Sequence, residues 1–313
     1  MLCRPRPIVL AGYWFVALLP AATLAQDEAH PVADIREVPP DLQTPPLVDS
    51  PAAAGRRVRQ VTPGWEATDV YHALYLPVDW NPRRRWPLIV EYTGNGPFRS
   101  QFGDKSDGRV EDADMGYGIS GGRGFVWVSL PYVNAAGTAN VTRWWGDPPD
   151  FTPQPTLDYC RRTVAWISET CHTDPDRVLL VGFSRGAIAC NYLGLHDDQV
   201  ATLWRAMIPY SHYDGVNESW PYPNSDRASA RARLARLAGR PQLICSESSS
   251  GGVGAVTSTQ EYLRTTGVEG EFTFLSTGFR NHDDAWLLRP GPARSQLRAW
   301  VDEVLGGVTK PSR

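Results

Sequence analysis

Methionine, cysteine and histidine are scarce in this 313-residue chain, at three, five and six copies, and neither sign of charge dominates, since 31 basic and 34 acidic side chains leave a formal −3. A chain so balanced exerts no long-range pull on a phosphate backbone. Its arginine patches, Arg83 to Arg85 and Arg231 to Arg236, are short, so nucleic acid is not expected as a partner. Long apolar runs are lacking as well: residues 8–19 fall short of the roughly 20 that a spanning helix needs. Few cysteines mean few staples. Cys160 and Cys171 lie eleven apart on one predicted helix, roughly 16 Å along its axis, too far to bridge. Cys190 and Cys245 fall in predicted core, so two bridges and none both stay open. The spacing matches no metal site, and neither metal nor cofactor is expected.

What is present is ordinary globular composition, 42% hydrophobic and 21% charged, enough to bury a core at this size. The first 25 residues stand apart: Arg4 and Arg6 precede the apolar run, and Thr23-Leu24-Ala25 offers small residues for cleavage before Gln26. That is the layout of a secretory signal peptide, which places the product in the periplasm or outside the cell. Residues 26–58, with Pro39-Pro40 and Pro45-Pro46, read as a Pro-rich linker or draped arm. Residues 59–313 read as one domain. Within it strands are predicted at 70–77, 88–92, 125–130, 178–181, 206–209, 242–245 and 271–275. Helices are predicted at 157–169, 187–193, 228–237, 257–265 and 295–305. Buried strands alternating with helices argue a mostly parallel sheet covered on both faces.

The most informative stretch is Val181-Gly182-Phe183-Ser184-Arg185-Gly186-Ala187. A serine flanked by glycines two positions away, after a strand and before a small-residue helix, marks a sharp turn that exposes Oγ at a helix N-terminus. Such a serine needs a base. Of six histidines, His30 lies in the arm, His72 in an early strand, His172 before the nucleophile strand and His196 after its helix. His282 follows the last strand, in a loop that opens at a carboxyl end of the sheet, where sites collect; His212 is the rival and otherwise a pocket-lining residue. The orienting acid is expected after the strand at 242–245. No aspartate occurs from residue 242 to 282, and Glu247 is the carboxylate nearest that strand end. A glutamate orients an imidazole as an aspartate does. Asp214, one strand earlier, is the alternative acid. Oxyanion donors are expected from the backbone N–H of Arg185 and from Asn95 in Thr93-Gly94-Asn95-Gly96. The Arg185 side chain is left with two uses, pairing with an anionic substrate group or holding a loop.

Taken together, Gly182-Phe183-Ser184-Arg185-Gly186, the loop at 93–96, Glu247 and His282 resemble the α/β-hydrolase superfamily. Tyr75-Leu76-Pro77 with Trp86 to Val90, and Asp174-Pro175-Asp176-Arg177-Val178, are similar to secreted carbohydrate esterases and polyhydroxybutyrate-depolymerase-like esterases. The resemblance covers about residues 65–305. It implies an eight-stranded, mostly parallel sheet and two-step ester hydrolysis without a metal. Departures are Thr93 where the family usually has histidine, and an acid loop without glycine-x-x-aspartate. Arginine directly after the nucleophile is similar to the pattern of glucuronoyl esterases.

The expected reaction is cleavage of a carboxylic ester through an acyl-enzyme by Ser184, His282 and Glu247. For the substrate, the loops expected around the site carry Trp144, Trp145, His212, Asp214, Trp220 and Trp286. Flat indoles at a polar mouth suit sugar faces, so a carbohydrate-linked ester is the first expectation. A generic carboxylesterase or polyester hydrolase is the alternative. A serine peptidase and a non-catalytic binding protein complete the set, and oligomeric state stays open.

Overall fold

The computed structural model describes residues 32–248 and 256–306; the leader read over residues 1–25 and the middle of the acid loop lie outside the described residues. Nine strands form the central sheet: β1 (Leu47–Val48), β2 (Arg57–Gln60), β3 (His72–Tyr75), β4 (Trp86–Tyr92), β5 (Val126–Leu130), β6 (Thr173–Phe183), β7 (Ala206–Tyr210), β8 (Gln242–Ser246) and β9 (Phe272–Ser276). Their order across the sheet is β1-β2-β3-β5-β4-β6-β7-β8-β9. Only β3 runs against its neighbours; every other pair is parallel. Where the resemblance implies eight strands, the described residues form nine. The two residues of β1, from the Pro-rich arm, pair with β2 at one edge.

Alternation along the strands builds two cores. From β4, Leu88, Val90 and Tyr92 face one layer, with Leu157 and Ile167 of helix α2 (Gln154–Thr170) and Ile188 of α3 (Arg185–Tyr192). Ile89 faces the other, with Met115 and Ile119 of α1 (Met115–Ser120) and Leu297 and Val301 of the last helix (Pro292–Val304). Strands covered on both faces read as continuous apolar runs, and every residue of β4 is buried. Glu91 is the exception in kind: its carboxylate accepts from the backbone N–H of Met115 (3.0 Å) and Gly116 (2.7 Å). Burial pushes that carboxyl up to about 7, against those hydrogen bonds.

Residues 32–42 pack beside the loop after β9. Ile35 N–H donates to Asn281 Oδ1 (2.7 Å), and Arg280 bonds Asp34 (2.6 Å). Asp41 pairs with Arg294 (2.6 Å). Cys160, Cys171, Cys190 and Cys245 are all free and buried, which settles the pairing left open above in favour of no bridge among them. Among the described residues no helix is long and apolar enough to cross a membrane.

Candidate active site

Strand β6 ends at Phe183, and Ser184 takes φ 55°, ψ −113° before α3 begins at Arg185. Positive φ is uncommon for a non-glycine residue and strained, so neighbours must hold it. Ser184 N–H donates to the Tyr210 carbonyl at the end of β7 (2.9 Å), and its own carbonyl accepts from Ala187 N–H (3.0 Å). Both flanking glycines are required by packing. A Cβ on Gly182 would stand 2.1 Å from the Gly186 carbonyl oxygen, and one on Gly186 1.9 Å from that of Tyr92. The glycine spacing read in the sequence is therefore the spacing of two backbone contacts.

Three strand ends bring the side chains together. Ser184 follows β6, Glu247 follows β8, and His282 lies in the loop after β9. His282 Nε2 is 3.0 Å from Ser184 Oγ, and His282 Nδ1 bonds Glu247 Oε1. Burial alone would push the Glu247 carboxyl up, but the hydrogen bond and charge of His282, with help from Ser211, bring it below its usual value. The His282 ring lies against Phe183 (4.7 Å between centroids) and Phe98 (5.2 Å). His212, the rival in the sequence, stands beside His282, its ring 5.4 Å from that of His282. Burial, with the charge of His282, pushes its pKa down to about 4.

The loop after β4 meets the elbow, since the Tyr92 and Thr93 carbonyl oxygens face the Cβ position of Gly186. Asn95 is half-buried there and its Oδ1 accepts from Trp144 N–H (2.9 Å). The Arg185 N–H sits in the first turn of α3, where helix amides lack an intrahelical acceptor and the dipole favours negative charge.

Several expected roles change. The Arg185 guanidinium does not face the site: it is 1% exposed and donates to the carbonyls of Trp144 (2.8 Å), Gly94 (2.7 Å) and Gly108 (3.3 Å). It also lies 3.6 Å over the Tyr132 ring. It holds loops and is not placed to meet a substrate anion. Asp214, the alternative acid and an expected substrate ligand, is engaged with other partners. It is 1% exposed and bonds Arg233 (2.8 and 3.1 Å) and Tyr222 (3.1 Å). Burial still pushes its carboxyl up, against the Arg233 charge. Asp214→Asn is expected to lower unfolding free energy by about 3 to 5 kcal/mol, because it strands a buried guanidinium, while kcat changes less than about threefold. Denaturant unfolding alongside ester assays checks both; unchanged stability would refute the pairing.

The aromatic mouth is thinner than expected. Trp145 and Trp286 are buried at 0% and 1% exposure, the first stacked on Tyr192 at 4.5 Å, the second beside Tyr210 at 6.0 Å. Large indoles repay burial most. Trp144 is largely buried under Trp220 (5.2 Å). That leaves Phe98, His212 and Trp220, all half-buried, as the aromatic rim.

Two residues near His282 carry no sequence signal. The Asp104 carboxylate accepts from His282 N–H (3.0 Å), Asn281 Nδ2 (2.7 Å) and Ser100 Oγ (2.8 Å), which ties the base loop to the hairpin bearing Phe98. Ser211 Oγ lies within 2.9 Å of both Glu247 Oε1 and His282 Nδ1.

No family model and no curated protein matches the sequence. Solved structures do. Thermogutta terrifontis esterase 2, phosphoramylated by tabun, is similar at TM-score 0.53 and 14% identity, over 85% of this chain and 100% of that one. An acetyl ester-xyloside bifunctional hydrolase from Caldicellulosiruptor lactoaceticus is similar at TM-score 0.52 and 15% identity, over 82% and 98%. A putative dipeptidyl aminopeptidase IV from Bacteroides ovatus is similar at TM-score 0.51 and 11% identity over 80% of this chain. This chain spans only 35% of that protein, and 36% of Porphyromonas gingivalis dipeptidyl peptidase 4. At such identities the likeness is one of fold, and the fold is that of the α/β-hydrolases.

Proposed function

We propose that this chain hydrolyses carboxylic esters through a serine acyl-enzyme. The observation that carries the reading is the 3.0 Å contact between Ser184 Oγ and His282 Nε2, with Nδ1 of the same ring held by Glu247. His282 takes the Ser184 proton as Oγ attacks the ester carbonyl. Backbone N–H groups of Arg185 and Asn95 receive the charge on oxygen, and the proton then passes from His282 to the leaving alcohol. Water, deprotonated by the same imidazole, releases the acid. Glu247 keeps the proton on Nδ1 and stabilises the imidazolium. The similar esterases are spanned over nearly their whole length, 100% and 98%, and the Bacteroides peptidase over 35%, which supports an ester over a peptide. Turnover of p-nitrophenyl acetate, together with one phosphonate bound per chain at Ser184, is the expected result; a chain that does neither is not a serine hydrolase.

A carbohydrate-linked ester is a second reading, favoured by the half-buried Trp220 at the mouth, 5.7 Å from the His212 ring, and by the name of the Caldicellulosiruptor protein. A substrate panel separates it from a generic carboxylesterase: acetylated xylo-oligosaccharide, a feruloylated arabinoside, a methyl glucuronate ester, p-nitrophenyl acetate and the octanoate. With a sugar-binding mouth, Trp220→Ala is expected to cost about 10-fold in kcat/KM on the sugar esters, the share of one stacking contact of about 1.4 kcal/mol, and little on p-nitrophenyl acetate. Best turnover on the octanoate with no Trp220 effect would leave the generic reading. Because the Arg185 guanidinium holds loops, Arg185→Ala is expected to slow all five substrates alike. Export to the periplasm or beyond rests on the leader at residues 1–25.

A further inference from the structure

Ser211 stands where the chain turns sharply out of β7, at φ 87°, a conformation that glycine adopts freely and an L residue rarely does. Its N–H donates to the Cys245 carbonyl (2.9 Å), which fixes the turn against β8. The side chain kept there is 5% exposed and has three polar neighbours: Glu247 Oε1 at 2.9 Å, His282 Nδ1 at 2.9 Å and His212 Nδ1 at 3.1 Å.

A hydroxyl has one proton to give, and an ionised carboxylate only accepts. The Ser211 proton therefore goes to Glu247, and the lone pairs of its oxygen face two imidazole Nδ1 atoms. Both rings are thereby favoured with their proton on Nδ1. For His282 that is the tautomer that leaves Nε2 bare, 3.0 Å from Ser184 Oγ. Glu247 and Ser211 impose the same choice from two sides.

We propose that Ser211 is a positioning residue whose hydroxyl, bonded to Glu247 and facing His282 Nδ1, keeps the imidazole in the tautomer that accepts the Ser184 proton. The inference rests on the reading of Ser184 as nucleophile and assigns Ser211 no contact with substrate.

Two substitutions separate hydroxyl from backbone. Ser211→Gly removes the hydroxyl and suits the positive φ; Ser211→Ala removes the hydroxyl and keeps the strained turn. Both are expected to lower kcat on p-nitrophenyl acetate by about 10- to 100-fold, as for loss of a hydrogen bond to a charged group, with KM within about twofold. The acidic limb of the kcat/KM profile should move up by about half a unit to one unit in both, because without this donor the Glu247 charge falls more fully on the imidazole. Among the described residues, other charged or titratable groups near His282 are His212, whose ring is 5.4 Å away, Asp104, which accepts from the His282 backbone N–H, and Arg280 and Asp283, its neighbours in the loop; neither substitution alters them. The melting temperature of Ser211→Gly should equal or exceed that of the wild type.

If Ser211→Gly turns over like the wild type with an unmoved limb, or if only Ser211→Ala is slow, the serine serves the turn alone and the inference falls. Failure of the phosphonate to label Ser184 in the wild type is a different outcome, since it removes the hydrolase reading itself.

Discussion

Alanine in place of Ser184 is expected to lower kcat on p-nitrophenyl acetate by about 10⁶-fold, the scale of losing the nucleophile from a serine triad. Fold and melting temperature should be untouched, because alanine meets the same positive φ as serine and the elbow is held through backbone groups, Ser184 N–H to Tyr210 O and Ala187 N–H to Ser184 O. Residual rate over water would come from the oxyanion donors, which stay in place. The check is a burst and steady-state assay with the purified variant beside its thermal melt. Retention of more than a few per cent of activity would move the nucleophile elsewhere.

Glu247→Gln should have the next largest effect, a fall in kcat of about 10²- to 10⁴-fold with the fold preserved. The amide is nearly the same size but carries no charge to stabilise the imidazolium, and its NH₂ group is able to force the wrong imidazole tautomer. Glu247 is buried beside Cys245 and Ser246 at the end of β8, so water cannot substitute for it. Parallel kinetics on Asp214→Asn make the comparison: its effect belongs to stability, through Arg233, and not to kcat. Near-full activity of Glu247→Gln would take the orienting role away from it.

The elbow was legible because it is local. Five residues, Gly182 to Gly186, fix a strand-to-helix turn by the absence of two Cβ atoms, which would stand 2.1 and 1.9 Å from backbone oxygens. The strand and helix succession was legible for a related reason, since period and apolar run length follow from each element's own burial. Glu247 was reached through the lack of aspartate between residues 242 and 282, and His282 through the scarcity of histidine.

Other assignments depended on which distant groups meet. Arg185 follows the nucleophile in sequence, yet its guanidinium lies among the carbonyls of Gly94, Gly108 and Trp144, three loops that the sequence does not order in space. Asp214 is available as an acid by residue type alone, but Arg233, nineteen residues on, pairs with it. Tryptophan content could not separate the buried Trp145 and Trp286 from the half-exposed Trp220.

Residue type and spacing within a few positions suffice for the sheet-and-helix architecture, the elbow at Ser184 and a short list of bases and acids. The tertiary fold alone lays β6, β7, β8 and β9 side by side in that order, so that Ser184, Glu247 and His282 meet above their ends. It also decided that Ser211 enters their network and that Arg185 and Asp214 are engaged elsewhere. Such pairings are set by sheet order and by the cost of burying an unpaired charge, and neither is written in the neighbouring residues.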